Sequence, residues 1–70
     1  MDLPLPEEAG RLDEAWELGR LGYDLAVAER VPVAKMWFAL TVGRVALLRG
    51  SPALASRWFR EQVVHARSLD

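Results

Sequence analysis

Apolar and small residues in the first half of the chain recur every three or four positions, as they do on one face of a helix. They are Leu12, Ala15, Trp16, Gly19, Tyr23 and Ala26. Pro6 suits the first turn of a helix, and Val31 disfavours helical geometry because it precedes Pro32. The pattern therefore predicts a first helix over residues 7–30.

Two further apolar segments follow, and each predicts a helix. Residues 32–49 are apolar nearly all round, so this helix must be covered on more than one side; the exceptions are Lys35, Thr41 and Arg44. Residues 52–68 carry most of their apolar side chains near one face. No alternating run of β-branched residues predicts a strand. The expected fold is therefore all-α, with three antiparallel helices.

The segment between the second and third predicted helices indicates a tight reversal of the chain. Gly50 suits the left-handed conformation that ends many helices. Ser51 is expected to cap the next helix through its hydroxyl, and Pro52 suits that helix's first turn. Because so short a connection brings two helices back side by side, these helices are expected to be antiparallel.

Small residues form stripes on the first two predicted helices. A glycine inside a helix costs about 1 kcal/mol relative to alanine, so Gly19, Gly22 and Gly43 are expected to permit close packing. The candidates to fill the space are Trp37, Phe38, Trp58 and Phe59. A shift of the chain by 40 residues also aligns Gly10 with Gly50, which suggests an internal repeat.

Length and composition allow one small domain. The 70 residues include no Cys and one His, so disulfides are excluded and a zinc cluster is not expected. Pro4 and Pro6 predict an extended or disordered segment over residues 1–5, and residues 6–70 are expected to form a single helical domain. No metal or cofactor is expected. The lack of Cys is compatible with a reducing cytoplasm, which is the expected location.

Neither a membrane nor a nucleic acid is an expected partner. Residues 31–48 are mostly apolar, but Lys35 and Arg44 would each cost roughly 2.5–3.5 kcal/mol near a bilayer centre. Four arginines near two aromatic residues could form a basic rim for nucleic acid: Arg49, Arg57, Arg60 and Arg67. Glu61 and the net charge of −1 argue against direct nucleic-acid binding.

No group of residues has the pattern of a catalytic site. The acidic residues Asp13, Glu14 and Glu17 have the spacing of a solvated helix face. Ser51 has no His and Asp nearby in the sequence to activate it as a nucleophile. His65 is expected to be a partly exposed structural residue. The chain is therefore not expected to be an enzyme.

The segment VGRVALLRGSPALASRWF resembles the tetratricopeptide repeat pattern. Gly43 stands at the small position of the first helix of the repeat, Gly50 at its turn, and Ala55 and Phe59 at the small and aromatic positions of its second helix. More broadly, residues 10–67 resemble the helical-repeat region of large bacterial LuxR-type ATP-dependent transcriptional regulators. The resemblance implies a tetratricopeptide-like stack of helical hairpins.

The chain also departs from these families in ways that limit what the resemblance implies. Gln62 replaces the usual alanine of the repeat, and no GxxxxGK[ST] phosphate loop is present. There is no separate helix-turn-helix reader with a basic recognition helix. The resemblance therefore implies only the role of a repeat region, which is a scaffold for partners, inducers or neighbouring domains.

The strongest functional signal is an excess of apolar residues. Three helices are not expected to cover three Trp, two Phe and an apolar second helix, and uncovered apolar surface marks an interaction site or a missing neighbouring repeat. The expected function is a non-catalytic helical-repeat protein-interaction module, in keeping with the sensor region of a bacterial transcriptional regulator. The alternative is a self-standing helical bundle that forms a homodimer with a structural role. The residues expected to contact a partner protein are Trp16, Tyr23, Trp37, Leu40, Trp58 and Val63.

Overall fold

A computed structural model describes the backbone of residues 6–69 and the side chains of residues 10–69. It contains three helices, α1 (Pro6–Ala28), α2 (Pro32–Leu48) and α3 (Pro52–Arg67). The described part of the chain contains no strand. The predicted all-α fold is confirmed, while the predicted extended or disordered segment over residues 1–5 lies outside the described residues.

Helix α2 occupies the centre of the fold because its sequence offers an apolar surface to both neighbours. It packs against α1 and against α3, as expected for a helix that must be covered on more than one side. Its buried residues are Ala39, Val42, Gly43, Val45 and Ala46. Within the described residues, no Cα atom of α1 lies within 8 Å of a Cα atom of α3. The two outer helices therefore meet only through long side chains.

The turn between α1 and α2 begins earlier than predicted, because α1 ends at Ala28, two residues before the predicted boundary. Arg30 adopts a left-handed φ of 56°, which a helix cannot contain. The Val31 N–H donates a hydrogen bond of 3.0 Å to the Ala26 carbonyl. This bond closes a Schellman turn, in which backbone carbonyls at the helix end are satisfied by the reversing chain.

The second turn has the same backbone arrangement, and the prediction for Gly50 is confirmed. Gly50 has a φ of 80°, and the Ser51 N–H donates to the Ala46 carbonyl at 2.9 Å. The predicted hydroxyl cap is wrong, because Ser51 makes no side-chain cap hydrogen bond. With φ −117° and ψ 71° it departs from the extended geometry that aims a capping hydroxyl. Backbone hydrogen bonds close this turn without the Ser51 hydroxyl. Helices α2 and α3 each end one residue before the predicted boundary.

In each hairpin, a phenylalanine ring of the second helix packs on a glycine of the preceding helix. Phe38 of α2 contacts Gly22 of α1, and Phe59 of α3 contacts Gly43 of α2. A Cβ atom added at Gly43 would lie 2.5 Å from Phe59 Cε1, and one added at Gly22 would overlap the Phe38 ring. In both pairs the phenylalanine follows its glycine by sixteen positions. The predicted close packing at these glycines is confirmed.

Other expectations about the small residues have mixed outcomes. Gly19 packs as predicted, since an added Cβ would lie 2.9 Å from Val42 Cγ2. Trp37, a predicted filler, is instead 57% exposed. The alignment of Gly10 with Gly50 does not describe structural equivalence, because Gly10 lies inside α1 whereas Gly50 forms a turn. The observed correspondence is between successive hairpins rather than between segments 40 residues apart.

Candidate functional site

An aromatic cluster joins α1 to α3 where their backbones stay apart. We define it as Trp16, Arg20, Tyr23, Trp58 and His65. The rings of Trp58 and Tyr23 meet edge to face, with centroids 4.9 Å apart and planes at 86°. Trp16 meets Trp58 in the same way at 6.5 Å and 90°. Edge-to-face packing is a favoured aromatic geometry, so the cluster provides the main side-chain link between the outer helices.

A hydrogen bond adds a polar connection to this link. The Tyr23 hydroxyl and His65 Nε2 lie 2.8 Å apart, with the hydroxyl as donor when Nε2 carries no proton. The Glu61 Oε2 atom lies 3.7 Å from the same nitrogen. Burial raises the pKa of Tyr23 above 10.0, and the carboxylates of Glu61 and Asp24 raise it further, while the Arg20 charge opposes them. Tyr23 therefore keeps its proton and remains a hydrogen-bond donor.

Two arginines stack on the tryptophans of the cluster. The Arg20 guanidinium carbon lies 5.0 Å from the centroid of Trp58 and 5.9 Å from that of Trp16. Arg49 lies 5.1 Å from the Trp16 centroid, and its Nη2 is 3.2 Å from Asp13 Oδ1. Such cation–π contacts hold a guanidinium over an aromatic face. Arg49, predicted as part of a basic rim, is thus engaged with α1.

A cavity of about 380 Å³ opens between the outer helices beside the aromatic cluster. We call it the α1–α3 cleft. It combines aromatic, apolar and charged side chains of both helices. Its lining residues are Arg20, Tyr23, Leu54, Arg57, Trp58 and Glu61.

A second surface lies on the side of α1 that points away from the aromatic cluster. Leu18, Leu21 and Leu25 are 62%, 68% and 60% exposed, and their spacing of three and four residues places them on one stripe. Leu25 also lines a cavity of about 210 Å³ with almost entirely apolar walls. The remaining lining residues are Gly22, Ala26, Glu29, Val31, Ala34 and Phe38. We call the three leucines and this cavity the α1 apolar surface.

The structure brings together three of the six residues predicted to contact a partner. Trp16, Tyr23 and Trp58 belong to the aromatic cluster and are half-buried. The other three stand elsewhere. Trp37 is exposed on α2, and its ring meets that of Phe38 edge to face, with centroids 5.2 Å apart and planes at 89°. Leu40 is half-buried on α2, and Val63 is 44% exposed on α3. Their contact with a partner protein stays a prediction.

Sequence reasoning missed the leucine stripe and the position of Arg20. The signal for the stripe was present, because Leu18, Leu21 and Leu25 have helical spacing. The predictions for α1 used the stripe of small residues that faces α2. They did not use this second stripe. No local signal places Arg20 on two tryptophans, because one of them belongs to a different helix.

Within the described residues, no group of three His, Asp, Glu or Cys side chains is arranged to hold a metal ion. None of the three helices in residues 6–69 combines the length and hydropathy needed to cross a membrane. The chain matches no protein-family model, and comparisons with curated proteins and with solved structures also gave no significant match.

Proposed function

We propose that the chain is a non-catalytic helical module that binds a partner protein through the α1 apolar surface. The observation that carries this proposal is the exposure of Leu18, Leu21 and Leu25, each at least 60% accessible on one stripe of one helix. Single exposed leucines are ordinary on protein surfaces, whereas a contiguous apolar patch marks an interaction site. Burial against a partner would remove this patch from water.

The form of the surface favours an amphipathic helix as the partner segment. A stripe with steps of three and four residues matches the spacing of apolar residues on a facing helix. The adjacent cavity of about 210 Å³ can receive one apolar side chain between Leu25 and Phe38. A partner helix would therefore lie along the leucine stripe and insert one anchor residue into the cavity.

The resemblance to tetratricopeptide repeats supports the same proposal. In stacked helical repeats, each unit buries its apolar face against the neighbouring unit. A helix from a neighbouring repeat of a bacterial transcriptional regulator is therefore a suitable occupant of the α1 apolar surface. The alternative occupant is a second copy of the chain, which would make the protein a structural homodimer.

Site-specific photo-cross-linking tests the proposal. A photoreactive phenylalanine analogue replaces Leu21 in one variant and Arg60, an exposed polar residue on α3, in the control. We expect a discrete cross-linked protein from position 21 and none from position 60. A cross-link to a second copy, together with a dimer in sedimentation equilibrium, would establish the homodimer instead. Equal products from both positions, or none from either, would contradict the proposal.

A further inference from the structure

The α1–α3 cleft has the size of a small-molecule site. Its volume of about 380 Å³ lies within the usual range for ligand pockets. The edge-to-face contact of Trp58 with Tyr23 and the 2.8 Å hydrogen bond from Tyr23 to His65 connect its two walls. The cleft is on the opposite side of α1 from the leucine stripe. It is therefore available when a partner protein covers the α1 apolar surface.

Two arginines from opposite walls line this cleft. Arg20 comes from α1 and Arg57 from α3. Among residues 10–69, no carboxylate lies within 4.0 Å of either guanidinium group. The Arg20 guanidinium carbon lies 5.0 Å from the Trp58 centroid, and Arg20 makes no side-chain hydrogen bond within the described residues, so its N–H donors are available to a ligand. The two walls thus present planar donor sets that are not used within the described part of the protein.

Glu61 restricts the charge of what the cleft can hold. Its carboxylate lines the cavity and lies 3.7 Å from His65. Asp24 follows Tyr23 on α1 and adds negative charge that raises the pKa of Tyr23. The two carboxylates offset the two guanidinium charges, so a polyanion is not attracted, whereas a single anionic group can pair directly with the guanidinium groups. Glu61 can also accept a hydrogen bond from the uncharged end of a ligand.

We propose that the cleft binds a small organic molecule with one oxyanion group, a carboxylate or a phosphate, between Arg20 and Arg57. Guanidinium groups bind such oxyanions through paired charge-assisted hydrogen bonds. A hydroxyl or amine at the other end of the molecule donates to Glu61. This site is separate from the proposed protein-binding surface and does not depend on it.

An NMR titration with three matched probes tests this site. The probes are 4-hydroxyphenylacetate, 4-hydroxyphenyl phosphate and the uncharged 4-hydroxyphenylacetamide. We expect saturable shifts of the Trp58 indole N–H and of the Arg20 and Arg57 Nε–H signals with at least one anionic probe. The amide should cause none. Saturation by the carboxylate or by the phosphate supports the site and identifies which oxyanion it takes.

Variants on α3 show whether the arginine of the cleft carries the binding. Arg57→Gln should weaken binding at least tenfold, and Arg57→Lys, which keeps the charge but not the planar donors, should have an intermediate effect. Arg67→Gln is the matched control, because Arg67 lies on the same helix and does not line the cleft. Circular dichroism checks that each variant remains helical. If Arg57→Gln loses its helical signal, the comparison is made with the conservative variant Arg57→Lys.

Three results would overturn the site: no saturation with either anion, an equal response to the amide, or an equal loss of binding in Arg67→Gln. The double variant Leu18→Gln/Leu21→Gln should leave the titration unchanged. Loss of protein cross-linking and loss of oxyanion binding can therefore be observed independently.

Discussion

The two hairpins of this protein share their construction but differ in their outer surfaces. In each, a left-handed residue closes the turn and a phenylalanine ring lies over a glycine of the preceding helix. The exposed residues of α3 include Arg57, Arg60 and Glu61 together with Val63 and Val64. Those of α1 include the exposed leucine stripe. The contacts inside the hairpins therefore fold the chain, whereas the leucine stripe lies outside these contacts.

The hairpins also differ at the residue that closes the turn. Gly50 adopts its φ of 80° without steric cost, because it lacks a Cβ atom. Arg30 adopts a φ of 56° at the equivalent position of the first turn. A left-handed conformation costs an ordinary L-residue about 1–2 kcal/mol. The first hairpin therefore closes less favourably than the second, although the hydrogen bonds of the two turns are alike.

The largest expected effect comes from filling the glycine under Phe59. We expect Gly43→Ala to lower the free energy of unfolding by about 1–3 kcal/mol, since the added methyl overlaps a ring in a buried position. Gly22→Ala should have a smaller effect, because Phe38 borders the 210 Å³ cavity and can shift towards it. Urea denaturation followed by circular dichroism measures both.

The matched control for this pair is Gly10→Ala. An added Cβ at Gly10 has no atom within 4 Å, so this variant should gain up to about 1 kcal/mol from helix propensity. A Gly43→Ala protein as stable as the wild type would show that the ring contact does not hold the second hairpin.

The next largest effect should distinguish the two turns by its sign. We expect Gly50→Ala to lose about 1–2 kcal/mol and Arg30→Gly to gain up to about 1 kcal/mol, because each changes the cost of a left-handed residue. Thermal unfolding of the two variants side by side provides the measurement. If both changes destabilise the protein, the turns do not differ in the way their φ values indicate.

A smaller effect concerns the bond between the outer helices. Tyr23→Phe removes the hydroxyl that bonds His65 and should lower stability by about 0.5–1.5 kcal/mol at neutral pH. The pKa of Tyr23 is raised in the folded state, so its contribution is complete below pH 10.0 and declines as the pH rises through the raised value. Urea unfolding as a function of pH should show an alkaline loss in the wild type that Tyr23→Phe lacks. Parallel pH profiles of the two proteins would contradict this assignment.

The smallest expected effect is at the exposed pair between Arg49 and Asp13. The Asp13 side chain is 66% exposed, so Asp13→Asn should change stability by less than about 0.5 kcal/mol, and added salt should remove the difference. Glu14→Gln is the control, because Glu14 forms no ion pair within the described residues. A loss from Asp13→Asn as large as that from Tyr23→Phe would mean that this pair, rather than the aromatic cluster, fixes α1.

The sequence was sufficient to predict the helices because its signals for them are local. Periodic apolar residues, prolines at helix starts and Gly50 at a turn act through the backbone of their own segment. The choice between Phe38 and Trp37 as the ring that covers Gly22 depends on how α2 is rotated against α1. That rotation is a tertiary property, so the sequence could offer only a set of aromatic candidates.

The candidate sites were less predictable for the same reason. The aromatic cluster and the α1–α3 cleft need residues from α1 and α3, which are far apart in the chain and meet only through side chains. At Ser51, by contrast, a local signal led to a wrong prediction. Its residue type favours a cap, but the first turn places Val31 at the same position, which shows that the backbone alone can close the reversal.

The unfolding free energy of Leu18→Gln/Leu21→Gln tests most directly whether the outside of α1 is free of a structural role. Both leucines are more than 60% exposed and glutamine is a comparable helix former, so we predict a change below about 1 kcal/mol. Val42→Ala, at a fully buried position of α2, should cost about 2 kcal/mol in the same assay. A loss in the double variant equal to that of Val42→Ala would show that the leucines hold the fold together, and would contradict their assignment to a partner.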